Sequence, residues 1–182
     1  EGQQMDVNFE TMENVTYDDY IEMITNKTGV LSAASFQIGA LIAGAKKEDA
    51  ELLYNFGKHI GIAFQIMDDY LDVFGNVEQF GKKHAGDIYE NKKTVLYLLA
   101  MEHANEAEKK ELDFWYSKKT ENVDKIYSVE KNFRRNKVDE KVLRLIQKHN
   151  EIGHDFLKQI DAPEEKKKPF MELANYLLRR NS

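Results

Sequence analysis

The feature that most constrains this chain is its shortage of helix breakers: proline occurs only at Pro163 and Pro169 in 182 residues. Proline removes a backbone donor and clashes with the preceding turn, so a chain almost without it can run long helices. Leu, Lys and Glu are abundant and β-branched runs are few, which predicts an all-α fold. The length suits one domain, or a large piece of one, and can bury a core without covalent staples.

There are no cysteines, which excludes disulfides and thiolate metal sites and fits a reducing compartment. The formal net charge is −6, from 26 basic and 32 acidic residues, and argues against broad nucleic-acid binding. The most apolar stretch, 30–45, contains Ser32, Ser35 and Gln37 and is shorter than the ~18 apolar residues a membrane span requires. We therefore expect a cytoplasmic protein with no stable membrane insertion.

Residues 1 to about 12 read as a helix tail. Thr16 followed by Asp19 resembles a capping box for a helix ending near Asn26, where Lys27, Thr28 and Gly29 interrupt it. A second helix is expected from Val30 to Ala43, rich in small residues and therefore central. Gly44–Lys47 forms a turn, and the longest helix follows from about Glu48 to Phe74, stopped at Gly75-Asn76. After a loop, Asp87 caps a helix through about Ala104 and Asn105 caps another through about Ser117. Further helices fall near 122–133, 138–160 and 164–180.

The segment 61–72 reads GIAFQIMDDYLD. On a helix, Gln65, Asp68, Asp69 and Asp72 stand three and four residues apart and share one edge. Around them lie Ile60, Ile62, Phe64, Ile66, Met67, Leu71, Val73 and Phe74, so the helix is apolar nearly all round and should be buried. Carboxylates there repel one another and resist desolvation. Protonation, cationic side chains or a divalent metal are the physical ways to offset that cost. The donors are all oxygen, which suits Mg²⁺, or Mn²⁺, better than zinc. Lys27, Lys82 and Lys92 supply nearby positive charge of the kind that neutralises phosphate oxygens.

The run FQIMDDYLD (64–72), then Gly81-Lys82, then Asp87-x-x-x-Asn91-Lys92, resembles the second aspartate-rich region of trans-isoprenyl diphosphate synthases, the polyprenyl synthetase family. Gly2-Gln3-x-x-Asp6 is similar to that family's GQxxD element, and Lys27-Thr28 to its KT element. The resemblance is firm over 1–100, with a YLxRR-like tail at 176–180. It implies a bundle of mainly antiparallel helices around a central cavity, with 1–182 as the C-terminal portion of a single all-α synthase domain.

The resemblance also implies prenyl transfer. An allylic diphosphate ionises, isopentenyl diphosphate attacks the carbocation, and a proton leaves to the departing pyrophosphate. Asp68 would be the most direct magnesium ligand, helped by Asp69 and Asp72. Lys27, Lys82 and Lys92 would hold the allylic diphosphate, with Gln3 and Asp6 shaping that site. Thr28 and Gln65, with a carbonyl near Lys27, would aim dipoles at the developing cation. Phe36, Phe64 and Ile38 either line a prenyl cavity or, by the better reading, belong to the ordinary core.

Family enzymes carry two aspartate-rich regions, and this sequence shows one; Asp18-Asp19 has no third acid at the right spacing. The first region and the isopentenyl diphosphate site are expected upstream of Glu1. We therefore expect a portion without turnover on its own, from an intact homodimer. The competing expectations are a non-catalytic subunit of a heteromeric synthase and a helical scaffold with an incidental acidic stripe.

Overall fold

A computed structural model describes residues 1–12, 14–75 and 84–179, and among these the regular elements are helices, with no strand. In chain order they are α1 (Gly2–Phe9), α2 (Tyr17–Ile24), a π-helical segment (Thr25–Gly29), α3 (Val30–Ile42) and α4 (Lys47–Phe74). Then come α5 (Gly86–Tyr89), α6 (Val95–His103), α7 (Glu106–Tyr116), α8 (Val123–Arg135), α9 (Val138–Lys158) and α10 (Glu164–Leu178).

Local chemistry accounts for the helix starts. The Thr16 backbone N–H donates to Asp19 Oδ2 at 2.9 Å and the Asp19 N–H donates to Thr16 Oγ1 at 3.1 Å, closing the expected capping box of α2. Asn105 and Glu108 cap α7 in the same reciprocal way. The charge-rich run at 164–168 begins α10.

Three expectations about local structure require correction. Lys27, Thr28 and Gly29 do not interrupt a helix: the chain widens into a π turn, with the Val30 N–H bonded to the Thr25 carbonyl, and continues directly into α3. The helix expected over 87–104 is two helices, because Asn91 takes a left-handed φ of 59° that ends the first. Finally, α3 is not central within the described structure. It buries Ala33 and Ala40, while Leu31 is 73 % and Ile42 82 % exposed, and Val30, Ile38 and Leu41 are exposed too.

The chain divides into two compact units. Unit 1 comprises residues 1–3, 21–67 and 145–182; unit 2 comprises 4–20 and 68–144. The division falls inside α4, between Met67 and Asp68. The core of unit 1 gathers Ala40, Leu53, Phe56, Ile60, Leu157 and Ala174. Phe36 packs edge-on against Phe56, with ring centroids 5.3 Å apart, and so joins this core. Ile38 points away from any core. Each large apolar side chain fully buried here contributes ~1.5–3 kcal/mol relative to exposure.

Unit 2 is organised around α8, which packs against α5, α6 and α7 and buries Lys125, Ile126, Val129, Asn132 and Phe133. The Asn132 side-chain amide donates to the Glu108 carbonyl at 3.1 Å, tying α8 to the first turn of α7. No helix among the described residues is long and apolar enough to cross a membrane.

Candidate functional site

In unit 1, two of the sequence elements singled out above meet at backbone distance. A Cβ built on Gly2 would lie 2.2 Å from the Lys27 nitrogen and 2.6 Å from the Asn26 carbonyl carbon, so only glycine lets the start of α1 abut the π segment. A Cβ on Gly61 would stand 3.0 Å from Gly29 Cα, so α4 closes on the same segment from another side. Across that contact the Thr28 hydroxyl donates to Gln65 Oε1 at 2.9 Å, which couples two of the anticipated catalytic residues. Lys27 is half-buried in the π turn, a geometry that recurs at functional sites, and Gln3 is exposed.

In unit 2, the last turns of α4 carry the acids. Asp69 is buried, and Asp68 and Asp72 are half-buried, so none faces bulk solvent outright. The Tyr20 hydroxyl, fully buried in α2, donates to Asp69 Oδ2 at 2.7 Å. Burial, and then the Asp69 charge, hold the Tyr20 phenol well above its ordinary pKa, so it stays protonated and donating.

Asp72 is strapped to the segment that follows. Its carbonyl accepts from the Ala85 N–H at 2.8 Å and its Oδ2 from the Asp87 N–H at 2.9 Å. Burial, reinforced by the Asp87 charge, raises the Asp72 pKa to about 6, against the pull of the Asp87 and Gly86 backbone donors and of Lys92. Lys92 Nζ reaches Asp87 Oδ1 at 2.9 Å and Glu90 Oε2 at 3.2 Å. Burial draws the Lys92 ammonium down, but hydrogen bonds and charge from Asp87 and Glu90 hold it above its ordinary value. The Lys92 N–H also closes onto the Asp87 carbonyl at 2.9 Å, so backbone and side chain fix the pair together.

The anticipated residues are thus distributed as follows. Lys27, Thr28, Gln65 and Gln3 lie in unit 1; Asp6, Asp68, Asp69, Asp72 and Lys92 lie in unit 2; Lys82 and Gly81 lie outside the described residues. Among the described residues, no three acids or histidines converge as a ready-made metal cage. Magnesium keeps several waters and uses few carboxylates alongside substrate phosphates, so a closed protein cage is not what its chemistry requires. The all-oxygen donor set and a carboxyl at Asp72 that resists ionisation fit a hard divalent cation.

Two residues of this site escaped the sequence reading. Tyr20 shares the helical spacing of Tyr17, Ile21 and Ile24 and in sequence is indistinguishable from an ordinary apolar position of α2, although a phenol at a buried position needs a hydrogen-bond partner. Asp87 reads in sequence as a helix cap and as the first residue of the DxxxNK element, with no role of its own, yet its carboxylate pairs with Lys92 and its charge helps raise the Asp72 pKa.

Comparison with known proteins decides the family. The polyprenyl synthetase family model matches residues 1–132. The chain belongs to the polyprenyl synthetase family. Among its relatives, a geranylgeranyl diphosphate synthase of Sulfolobus acidocaldarius is 44 % identical over 110 residues, covering 60 % of this chain and 33 % of that one. A (2E,6E)-farnesyl diphosphate synthase of Mycobacterium bovis is 30 % identical over 185 residues, covering 100 % of this chain and 51 % of that protein. The matches thus span a third to a half of the length of these curated relatives, in their C-terminal portion.

Solved structures agree on the all-α fold. A geranylgeranyl pyrophosphate synthase superposes with a TM-score of 0.90 at 36 % identity, covering 100 % of this chain and 57 % of that one. The Corynebacterium glutamicum geranylgeranyl pyrophosphate synthase, crystallised with isoprenyl diphosphate and magnesium, gives a TM-score of 0.89 at 29 % identity, covering 99 % and 51 %.

Proposed function

We propose that this chain is the metal- and diphosphate-binding portion of a prenyltransferase that condenses an allylic diphosphate with isopentenyl diphosphate. The observation that carries the reading is the arrangement of Asp72, Asp87 and Lys92. A carboxyl whose ionisation is opposed by burial and by a second carboxylate lies within electrostatic reach of a charged lysine. Such a cluster favours a divalent cation and a polyanion arriving together.

Asp68, Asp69 and Asp72 would hold Mg²⁺, or Mn²⁺. When bound, the metal would neutralise the diphosphate and ease its departure as a leaving group. Lys92 would keep Asp87 and exchange the exposed Glu90 for a phosphate oxygen, since an exposed ion pair contributes little. Lys27 and Lys82 take the same diphosphate in this reading, and Gln3 and Asp6 shape its pocket. The Thr28 hydroxyl, anchored on Gln65, fixes the orientation of both groups, so their dipoles need not reorganise as the allylic cation develops.

The isopentenyl diphosphate site and the homodimer of the intact enzyme belong to the same proposal, as does the absence of turnover by this chain alone. A second reading is a non-catalytic subunit whose partner completes the site. It is favoured by the exposed apolar face of α3.

The test is titration of Mg²⁺ and an allylic diphosphate into the chain and into Asp68→Ala. Saturable, metal-dependent binding that the substitution weakens is expected; identical binding by the two would sink the assignment. Complementation with the first aspartate-rich half of a relative then separates enzyme from subunit, since only the enzyme reading requires Asp68 for turnover.

A further inference from the structure

Tyr20 is completely buried, and its hydroxyl donates to Asp69 Oδ2 at 2.7 Å. Asp69 is itself only 8 % exposed. A hydrogen bond from a phenol to a carboxylate at this length is charge-assisted and about twice as strong as a neutral one. It is also directional, so it fixes the plane in which the carboxylate lies. Both ends are anchored: Asp69 sits in the unbroken helix α4, and Tyr20 lies in the first turn of α2, behind the Thr16–Asp19 capping box. The Tyr20 backbone N–H bonds to the Thr16 carbonyl at 3.1 Å, so the ring enters from a backbone that the cap has already set.

A purely packing role does not account for this arrangement. Phenylalanine would fill the same volume in α2 without burying a hydroxyl that needs a partner. A buried aspartate that also engages a cation gains from a partner that holds one oxygen in place, because first-sphere ligands are generally oriented by hydrogen bonds behind them.

We propose that Tyr20 is a positioning residue for the divalent cation: through its bond to Oδ2 it holds the Asp69 carboxylate in the orientation in which that group serves the metal. This rests on the reading of Asp68, Asp69 and Asp72 as the metal-binding acids. Tyr20 touches neither substrate nor metal; it acts through Asp69.

The experiment is Mn²⁺ titration of the 182-residue chain, followed by electron paramagnetic resonance in the presence of inorganic pyrophosphate. Four forms are compared: wild type, Tyr20→Phe, Tyr20 replaced by 4-aminophenylalanine, and Asp68→Ala. Loss of an orienting bond behind a ligand typically weakens metal binding about 10- to 100-fold. Tyr20→Phe is expected to bind Mn²⁺ weaker by that factor while its metal-free melting curve remains cooperative. The 4-aminophenylalanine form, which keeps an N–H donor at the same place, is expected to recover most of the affinity.

Unchanged Mn²⁺ affinity in Tyr20→Phe overturns the proposal. Equal weakening in both Tyr20 forms overturns it too, because shape rather than the hydrogen bond would then matter. A Tyr20→Phe chain that fails to fold while the 4-aminophenylalanine form folds assigns the bond to the fold alone and also overturns it. The Asp68→Ala arm keeps the two readings apart. If it binds Mn²⁺ as wild type does, the metal-site reading has failed. If it loses Mn²⁺ while Tyr20→Phe does not, only the positioning role has failed.

Discussion

The Lys125 ammonium donates to the Asn91 side-chain carbonyl, and this bond joins the first turn of α8 to the left-handed turn that precedes Lys92. Lys125 is fully buried and also donates to the Lys118 carbonyl at 3.1 Å. Its partners are neutral carbonyl groups, and burial lowers its pKa to about 8. In the DxxxNK element the asparagine therefore serves the shape of the turn, and the lysine beside it presents charge. Replacing Lys125 with Met should leave these acceptors without their donor and cost about 1–3 kcal/mol, read from urea unfolding. Pyrophosphate binding should weaken in parallel, because Lys92 loses its fixed turn.

Gly2 and Gly39 give opposite expectations for the same substitution. Gly2→Ala drives a Cβ against the Asn26–Lys27 backbone, where no side chain can yield, and should destabilise by about 1–3 kcal/mol. A Cβ at Gly39 meets nothing within 4 Å, so Gly39→Ala inside α3 should stabilise by about 0.5–1 kcal/mol. Paired thermal melts check both; a neutral Gly2→Ala would show that α1 does not abut the π segment.

The raised pKa of Asp72 predicts a stability gain on neutralising it. The folded carboxyl titrates at about 6 against 3.8 unfolded, so the folded state binds the proton more tightly between those values. Stability from this group is therefore present at low pH and lost as pH rises toward 6. Asp72→Asn should raise stability above pH 6 by on the order of 1–2 kcal/mol, once part-exposure has screened the full shift. The gain should vanish below about pH 4, and Mg²⁺ binding should be lost throughout. Melting curves at three pH values test the sign.

A histidine pair in unit 1 predicts the opposite slope. His59 and His149 stack, with Nδ1 atoms 3.1 Å apart, beside the Phe156 ring and the charges of Lys58 and Lys148. Burial, then His59, lowers His149 from 6.5 to about 4, and burial lowers His59 as well. The unfolded chain then holds more protons than the folded one, so stability is full above pH 6.5 and falls as pH drops toward 4. His149→Phe, which keeps a stacked ring, should flatten that loss; an unchanged profile would refute the pairing.

Much of the fold was legible because its signals are local. Thr16 with Asp19, Asn105 with Glu108, and the helical spacing of Gln65, Asp68, Asp69 and Asp72 need only a few consecutive residues to be read. The features that escaped depend on tertiary partners. Nothing next to Asn91 announces its left-handed backbone, which is braced by Lys125, 34 positions away in sequence. Tyr20 needs Asp69, 49 positions away, to become more than an apolar repeat. Small residues in α3 predicted a central helix, but smallness permits approach without compelling it, and the helix fully buries only Ala33 and Ala40.

The π turn at Thr25–Gly29 acts as a phase shifter in an otherwise continuous rod. One surplus residue there rotates everything downstream by about 100° relative to an uninterrupted α-helix. Straightening the turn into plain α-helix at constant length would leave α2 and α3 individually intact while swinging bulkier side chains toward the wall where Gly29 and Gly61 now touch. Helix content by circular dichroism would hardly register such a change, and the register error would surface instead as lost tertiary order. Removing the one surplus residue would instead straighten the turn and keep α3 in its present phase, so this stretch should tolerate a one-residue deletion better than a substitution that regularises it.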